Sequence, residues 1–287
     1  MARFPFFSVL ISFVALGPVL NRPASAQSPH PALEYGTPDT GHLIDYGSFA
    51  ISYDGRLRSA RWAAEKLTKE SLKKNAERAN KFRADERIDP EFRAELYDYK
   101  YSGFDRGHLA PSADHLLSVL VNRQTFFLTN MSPQVGSGFN QHYWARLEAS
   151  IRRLALTEEV KSVFVFTGPL FMPAEAPEQG DAPDNRSEAS ERLSLTITLI
   201  GPNHVPVPTH YFKALLVEPS DPDSVTKLYT LVLPNKRIDG DTPLTRFVRS
   251  VDYLEHWAGF DLWAELPDAA ETFKESTTWS PWAPLAR

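Results

Sequence analysis

The sequence has 287 residues, which is enough for one large domain or two small ones, and 42% of them are hydrophobic, so a sizeable core can form. It contains no cysteine, which excludes disulfides, thiolate nucleophiles and zinc sites with cysteine ligands, so nitrogen or oxygen must hold any metal. The formal net charge of −5 argues against a protein that coats nucleic acid through bulk positive charge.

The N-terminus has the pattern of an export signal. Arg3 precedes an apolar run from Phe4 to Leu20, and Ala24-Ser25-Ala26 supplies a small-x-small cleavage site. We therefore predict a cleavable signal peptide over residues 1–26, an exported protein that is periplasmic or secreted, and no stable membrane association after cleavage. A mitochondrial presequence is the alternative, although it would be richer in arginine. Residues 27–40, rich in Pro, Ser and small polar residues, are predicted to be a flexible lead-in.

The next segment is predicted to be a β-hairpin. Phe49, Ile51 and Tyr53 alternate with smaller or polar residues, and Asp54-Gly55 is a strong turn signal. Leu57 to Leu67 is predicted to be the return strand, although its second half would also suit a helix.

A basic stretch follows within an otherwise acidic chain. From Arg56 to Arg87 there are eleven Lys or Arg residues against five Asp or Glu residues. Such a stretch can attract a polyanion locally, and a solvated charged surface is the equally simple interpretation.

Phe104 to His115, with the sequence FDRGHLAPSADH, is the richest chemical segment. The imidazole of His108 can accept a proton near neutral pH, and the guanidinium of Arg106 suits a phosphate oxygen. Asp105 adds a carboxylate to this cluster, and Gly107 lets the backbone turn or approach closely. Together these residues indicate proton transfer beside a phosphate, whereas a solvated ion pair at a strand edge is the alternative.

Asn140 is predicted to open the clearest helix of the chain. Its apolar stripe recurs every three or four residues, at Trp144, Leu147, Ile151 and Leu154. Asn140, Glu148 and Arg152 would project along one side, because steps of four drift little around a helix. The alternative is a capping Asn and an exposed Glu–Arg pair four residues apart.

The second half of the chain is predicted to be rich in β-structure. Four runs have the composition of buried strands: Ser162 to Thr167, Leu193 to Ile200, Tyr211 to Val217 and Lys227 to Leu233. Pro173 to Glu191 is predicted to be an exposed loop. Thr242-Pro243 is predicted to start a helix with Gly259 just beyond it. Nothing in the composition divides the mature chain into two domains.

Several blocks, in order along the chain, resemble one known family. They are SGFDRGHLAP from Ser102, FFLTNMSPQ from Phe126, FNQHYWARLE from Phe139, TGPLF from Thr167, VPVPTHYFK from Val205 and the KFRAD that contains Arg83. The chain resembles the DNA/RNA non-specific endonucleases, the endonuclease G-like enzymes of the ββα-metal, or His-Me finger, type. The resemblance implies an α+β fold, with a central mostly antiparallel sheet flanked by helices, over residues 41–265 and a tail over 266–287.

The resemblance also implies catalytic roles. His108 matches the general base that activates water, and Asn140 matches the single protein ligand of a Mg²⁺ ion whose other ligands are waters and phosphate oxygens. Glu148 matches the glutamate that hydrogen-bonds metal-bound water and helps to protonate the leaving oxygen. Mn²⁺ is expected to substitute for Mg²⁺.

Four further residues are assigned by the same resemblance. Arg83 matches the arginine that stabilises charge on the phosphate, and Arg106 and Arg152 match basic residues that contact substrate. Arg106 is also included among the catalytic residues. Asn130 matches a polar residue of the catalytic pocket, where it would orient the other groups.

The implied function is a sugar-non-specific endonuclease that cuts DNA and RNA and leaves 5′-phosphate ends. An exonuclease on the same scaffold and a nucleic-acid-binding protein without turnover are the alternatives. A zinc hydrolase using His108, Asp114 and His115 is a third, although it lacks the usual ligand spacing. Family members are often homodimers, so a homodimer is a further expectation.

Overall fold

A computed structural model describes residues 30–173 and 195–266. Its centre is a seven-stranded sheet whose neighbouring strands are all antiparallel, in the order β1-β2-β3-β6-β9-β10-β11. These strands are β1 His42–Asp45, β2 Phe49–Asp54, β3 Ser59–Leu67, β6 Val160–Leu170, β9 His210–Pro219, β10 Lys227–Pro234 and β11 Val248–Arg249. The predicted α+β class, with a mostly antiparallel sheet, is confirmed.

The predicted hairpin at Asp54 is also confirmed. The Asp54 carboxylate accepts a hydrogen bond from the backbone N–H of Arg56 at 2.9 Å, which stabilises the turn between β2 and β3. β3 is a strand despite the helical propensity of its second half, because it pairs with β2 on one side and β6 on the other. Tertiary pairing here outweighs local propensity.

Both faces of the central sheet are buried. Ala63 and Val165 point into one core, whereas Trp62 and Phe164 point into the other. Burial on both faces explains why β6 and β9 are nearly continuous apolar runs in the sequence. A helix, α3 (Ala145–Ala155), packs in the first core.

The second core contains the last helix and the N-terminal segment. Helix α4 (Val251–Ala258) buries Val251 and Leu254 there. The short 3₁₀ turn Pro31–Leu33 adds Ala32 and Leu33, which are buried. The prediction of a flexible lead-in is therefore wrong for residues 30–40, because apolar side chains anchor this segment to the sheet.

A separate two-stranded ribbon lies on the α3 side of the sheet. Strand β4 (Asp105–His108) pairs antiparallel with β5 (Met131–Gln134). Two short helices, α1 (Leu96–Tyr99) and α2 (Val119–Gln124), lie in the connections around this ribbon. The ribbon, an irregular segment and α3 together form a ββα unit.

The helix predicted from Asn140 starts differently from expectation. Gly136–Trp144 is a π-helical segment with non-helical backbone at Ser137 and Gly138, and regular α3 begins only at Ala145. The backbone N–H of Asn140 bonds to the carbonyl of Val135 at 2.9 Å. The predicted apolar stripe is nevertheless buried, as expected: Trp144, Leu147, Ile151 and Leu154.

Two other predicted elements are wrong in part. Within residues 195–200, the described part of the strand predicted over Leu193 to Ile200, only β7 (Leu199–Ile200) forms, and it pairs with the short strand β8 (Val205–Pro206). Residues 195–198 belong to no strand and are partly or fully exposed, so strand-like composition alone did not create a pairing partner. Residues 191–194 lie outside the described residues.

The helix predicted from Thr242-Pro243 is divided into two helical segments by a short strand. Leu244–Phe247 is a single 3₁₀ turn, and β11 then pairs with β10 before α4 begins. The Ser250 hydroxyl caps α4 by accepting from the backbone N–H of Tyr253 at 3.1 Å, and Gly259 ends it at φ +70°. Strand pairing interrupts a sequence whose apolar spacing is helical throughout.

Three predicted segments lie wholly or mostly outside the described residues. They are the signal peptide over 1–26, most of the loop from Pro173 to Glu191 and most of the tail over 266–287. Leu266 itself is buried in the second core. Within residues 30–173 and 195–266, no helix is both long and apolar enough to cross a membrane.

Candidate active site

His108 ends β4 and stands between aromatic rings. Its imidazole lies 4.9 Å from the ring centroid of Phe126 and 5.7 Å from that of Phe82. Burial is the main reason that the pKa of His108 is lowered to about 3, and the neighbouring Arg78 and His115 act in the same direction. The imidazole is therefore neutral at pH 7 and has a lone pair available to accept a proton.

The ring nitrogens of His108 have different surroundings. Nε2 is buried and has no hydrogen-bond partner among the residues that the structure describes. His108 as a whole is only partly buried and lines a cleft of about 660 Å³. Nδ1 is therefore the nitrogen that solvent in the cleft can reach.

Two guanidinium groups lie beside His108 on the wall of the cleft. Arg106 stacks over Phe82 at 4.3 Å from the ring centroid, and Arg78 stacks over Phe126 at 4.9 Å. The Nε of Arg78 also donates to the Ser112 hydroxyl at 2.8 Å. Stacking and hydrogen bonding hold both planar forks in place, as recognition of a phosphate requires.

Asn140 faces the same cleft from the π-helical segment. Its Nδ2 donates to the Asp105 carboxylate at 2.9 Å, and Nε2 of Gln141 donates to the same oxygen at 2.8 Å. A carboxylate can only accept hydrogen bonds, so Asp105 binds the NH₂ group of the Asn140 amide. The Oδ1 atom of Asn140 then remains available as a ligand for a cation. No group within the described residues donates to that Oδ1.

These residues fit a hard cation that keeps most of its water. A neutral amide oxygen suits Mg²⁺, which dehydrates reluctantly and needs few protein ligands. The described parts of the chain contain no group of three or more His, Asp or Glu side chains able to hold a metal. The zinc alternative is also disfavoured, since Asp114 pairs with Arg152 at 2.6 Å and His115 pairs with Glu65 at 3.0 Å.

Glu148 lies on α3 at the wall of the cleft. Burial raises the pKa of the Glu148 carboxyl to about 7, and the nearby carboxylates of Asp114 and Glu65 add to this, despite the opposing charges of Lys213 and Arg152. A carboxyl with this pKa can both hold and release a proton at neutral pH.

Arg152 also lines the cleft, but its ion pair differs from the alternative considered from sequence. Its Nη1 bonds to Oδ1 of buried Asp114 at 2.6 Å, so it does not form the exposed pair with Glu148. Asn140 likewise forms no N-cap. The structure thus places His108, Arg106, Asn140, Glu148 and Arg152 around a single cleft.

Asn130 lies behind the cleft and does not line it. Its side chain is 0% exposed and joins three backbone groups: the N–H of Ala110, and the carbonyls of Ala110 and Thr125, each at 2.9 Å. A side chain with these bonds fully used cannot contact substrate. The expectation that Asn130 acts inside the catalytic pocket is therefore corrected: it lies outside the cleft, and its bonds hold the backbone of the segment that follows His108.

Arg83 is the second correction. Its guanidinium stacks on Phe127 at 4.0 Å, and its backbone bonds to Phe126 and Leu128. Arg83 does not line the cleft, whereas Arg78, five residues earlier, does. Backbone pairing of Arg83 with Phe127 places its guanidinium over the Phe127 ring, outside the lining of the cleft.

Two residues that shape the site, Arg78 and Lys213, were missed from sequence, and so was the contact that Asp105 makes. Arg78 lies in the basic stretch noted above, but that pattern does not tell one arginine from another. Asp105 belongs to the central motif, yet its contact with Asn140 joins positions far apart in the chain. Lys213, buried on β9 and bonded to the Thr167 hydroxyl at 2.8 Å, carried no separate signal.

Comparisons with known proteins show which family the chain belongs to. A family model described as DNA/RNA non-specific endonuclease matches residues 26–269. Nuclease C1 of Cunninghamella echinulata var. echinulata is 39% identical over 238 residues, covering 82% of this chain and 88% of the relative. Human mitochondrial endonuclease G is 38% identical over 227 residues, covering 79% of this chain and 71% of the relative.

The fold of this chain is also similar to that of a solved structure. The structure of an EndoG/EndoGI complex matches with a TM-score of 0.73 and 36% sequence identity, covering 82% of this chain and 91% of the other. The ribbon, the π-helical segment and α3 are thus the ββα-metal unit that the resemblance implied. The chain belongs to the DNA/RNA non-specific endonuclease family, whose members are metal-dependent enzymes that hydrolyse nucleic acids.

Proposed function

We propose that the chain is a Mg²⁺-dependent endonuclease that hydrolyses DNA and RNA without sequence preference and leaves 5′-phosphate ends. One observation carries the proposal. A neutral histidine, an oriented amide oxygen and a carboxyl with a pKa raised to about 7 line one cleft, beside the arginine forks. Those are the groups that phosphodiester hydrolysis at neutral pH requires.

Each residue has one task in the proposed reaction. Nδ1 of His108 takes a proton from the water that attacks phosphorus. Glu148 delivers a proton towards the 3′ oxygen, which leaves as the bond to phosphorus breaks, so the phosphate stays on the 5′ side. Arg78 and Arg106 stabilise the charge that builds on the phosphate oxygens.

Asn140 would hold the cation through Oδ1, with Asp105 fixing the amide. When bound, Mg²⁺ supplies positive charge next to the scissile phosphate and stabilises the transition state. Mn²⁺, which also prefers oxygen ligands, would substitute. Because the site addresses the phosphate and not base edges, little sequence preference is expected.

The charge of the cleft supports a polyanionic substrate. Its lining includes four cationic residues, Arg78, Lys100, Arg106 and Arg152, against two acidic residues, Asp105 and Glu148. The whole chain has a net charge of −5, so positive charge is concentrated where the reaction takes place.

Substitution His108→Ala should lower turnover of supercoiled plasmid and of RNA by roughly 10²- to 10⁴-fold, because the general base is lost. Asn140→Ala should shift the Mg²⁺ titration to higher concentration and lower the rate. Rates would be measured on purified residues 27–287 with increasing Mg²⁺.

Arg78→Ala should also lower the rate of cleavage, whereas the matched control Arg83→Ala should keep the parent rate.

The assay also separates the alternatives. Full turnover by His108→Ala would refute its role as the base. Closed circular plasmid that remains uncut while linear DNA is degraded would favour an exonuclease, and binding without cleavage at any Mg²⁺ concentration would favour a binding protein.

We also propose that the protein is exported after cleavage behind Ala26, on the strength of the small-x-small pattern and the preceding apolar run. Several relatives are named as mitochondrial nucleases, among them human endonuclease G, so import into mitochondria is the competing proposal. N-terminal sequencing of the mature protein would decide, since a first residue other than Gln27 contradicts the predicted cleavage.

A further inference from the structure

The loop between α1 and β4 forms one rim of the cleft. Lys100, Tyr101 and Phe104 line the cleft there, next to Arg106. The Tyr101 side chain is 94% exposed, which is the highest value for any large hydrophobic residue in the described part of the chain. This ring therefore contributes almost nothing to the core.

The backbone of Tyr101 is also unusual. Its φ of +62° lies in the left-handed region, which favours glycine and disfavours a bulky side chain. A tyrosine here is thus both strained and exposed, although a glycine would relieve the backbone. Strain of this kind that brings no packing benefit is typical of functional positions.

Positive charge lies directly beside the ring. Nζ of Lys100 is 5.0 Å from the Tyr101 ring centroid, and Arg106 is stacked on Phe82 along the same cleft. An open aromatic ring next to cations that track a phosphate chain is the arrangement with which proteins bind single-stranded nucleic acids. If the Tyr101 ring served to bind a protein partner, it would have no reason to lie beside the phosphate site.

We propose that Tyr101 is a stacking platform for an unpaired nucleobase of the strand whose phosphate occupies the cleft, and that Lys100 contacts the adjoining phosphate. The proposal rests on the proposed function for its substrate class. Every base has a flat face, so the platform favours no sequence. It favours single-stranded or locally unstacked regions, because bases within a duplex are already stacked on one another.

Binding without turnover tests the proposal. The His108→Ala protein is titrated, without divalent cations, against two fluorescein-labelled 12-mers and followed by anisotropy. One is oligothymidylate, and the other is an abasic oligomer with the same number of phosphates. Oligothymidylate should bind roughly 5- to 150-fold more tightly, the range for loss of one stacked base.

Variants at position 101 assign the difference to the ring. Tyr101→Ala should reduce oligothymidylate binding to the abasic level, whereas Tyr101→Phe should retain the preference. Tyr101→Gly should lose the preference without a fall in melting temperature, since it relieves the left-handed backbone. Tyr97→Ala is the matched control, because Tyr97 is 53% exposed but does not line the cleft.

Equal binding of the two oligomers by the His108→Ala protein, or unchanged oligothymidylate binding by Tyr101→Ala, would overturn the proposal. Loss of binding on Tyr97→Ala would also overturn it, because the effect would not belong to the cleft. The outcome is independent of catalysis. A chain that discriminates through Tyr101 but leaves plasmid uncut would retain the platform and refute the nuclease proposal.

Discussion

At the scale of single residues, burial acts on His108 and Glu148, the two groups to which we assign proton transfer. It lowers the pKa of His108 and raises that of Glu148, so each is moved towards its neutral form. The reason is the same for both, since a low-dielectric environment penalises charge. The imidazole can then accept a proton and the carboxyl can donate one at the same pH.

Glu148 should therefore make stability depend on pH. Its folded pKa of about 7 lies above its usual 4.5, so its contribution to stability is fully present below pH 4.5 and is lost as pH rises through 7. The neutral variant Glu148→Gln should gain stability relative to the parent between pH 5 and pH 8. The gain should be about 2 kcal/mol, allowing for partial solvent access.

Urea unfolding in EDTA at both pH values measures this difference. Exposed Glu86→Gln serves as the control and should show the same small effect at each pH. A Glu148→Gln effect that does not change with pH would mean that the Glu148 carboxyl is ionised throughout.

At the scale of elements, the β4–β5 ribbon positions His108 through a close contact between its two strands. A Cβ added to Gly107 would lie 2.1 Å from Oε1 of Gln134, and Gln134 is fully buried on β5. Only glycine allows the two strands to approach in this way immediately before His108. The ribbon thus holds His108 itself, and the hydrogen bonds of Asn130 hold Ala110, two residues further along the chain.

Gly107→Ala should therefore destabilise the fold by about 1–3 kcal/mol through overpacking and should lower activity by displacing His108. Urea unfolding and plasmid cleavage measure the two effects. The double variant Gly107→Ala/Gln134→Ala should recover part of the stability, because it removes the clashing side chain. Gly240→Ala, where an added Cβ meets only Arg146 at 3.9 Å, should be nearly neutral. A Gly107→Ala protein as stable as the parent would contradict the close contact.

At the scale of the whole molecule, an acidic protein binds a polyanion because its cations converge on the cleft. Four cationic residues line it, so the logarithm of the binding constant should fall with the logarithm of salt concentration with a slope of about −3 to −4. The measurement is anisotropy of a labelled oligonucleotide with the His108→Ala protein at several KCl concentrations.

Adding Arg78→Ala should reduce that slope by about one, since one phosphate contact is lost, whereas adding Arg83→Ala should leave it unchanged. A smaller slope for the Arg83 variant and an unchanged slope for the Arg78 variant would mean that Arg83, and not Arg78, contacts the phosphates. The comparison is matched, because both arginines stack on aromatic rings but only one lines the cleft.

Sequence alone determined the family and the residues to which we assign the chemistry. His108, Asn140 and Glu148 lie in short motifs that resemble the family's motifs and whose residue types suit proton transfer and metal binding, and most strands follow from local composition. The tertiary structure decided what depends on distant neighbours. Strand pairing split the helix predicted from Thr242, and a backbone bridge turned Arg83 away while Arg78 entered the cleft. Burial, which no local pattern encodes, shifted the pKa values of His108 and Glu148 so that each side chain favours its neutral form.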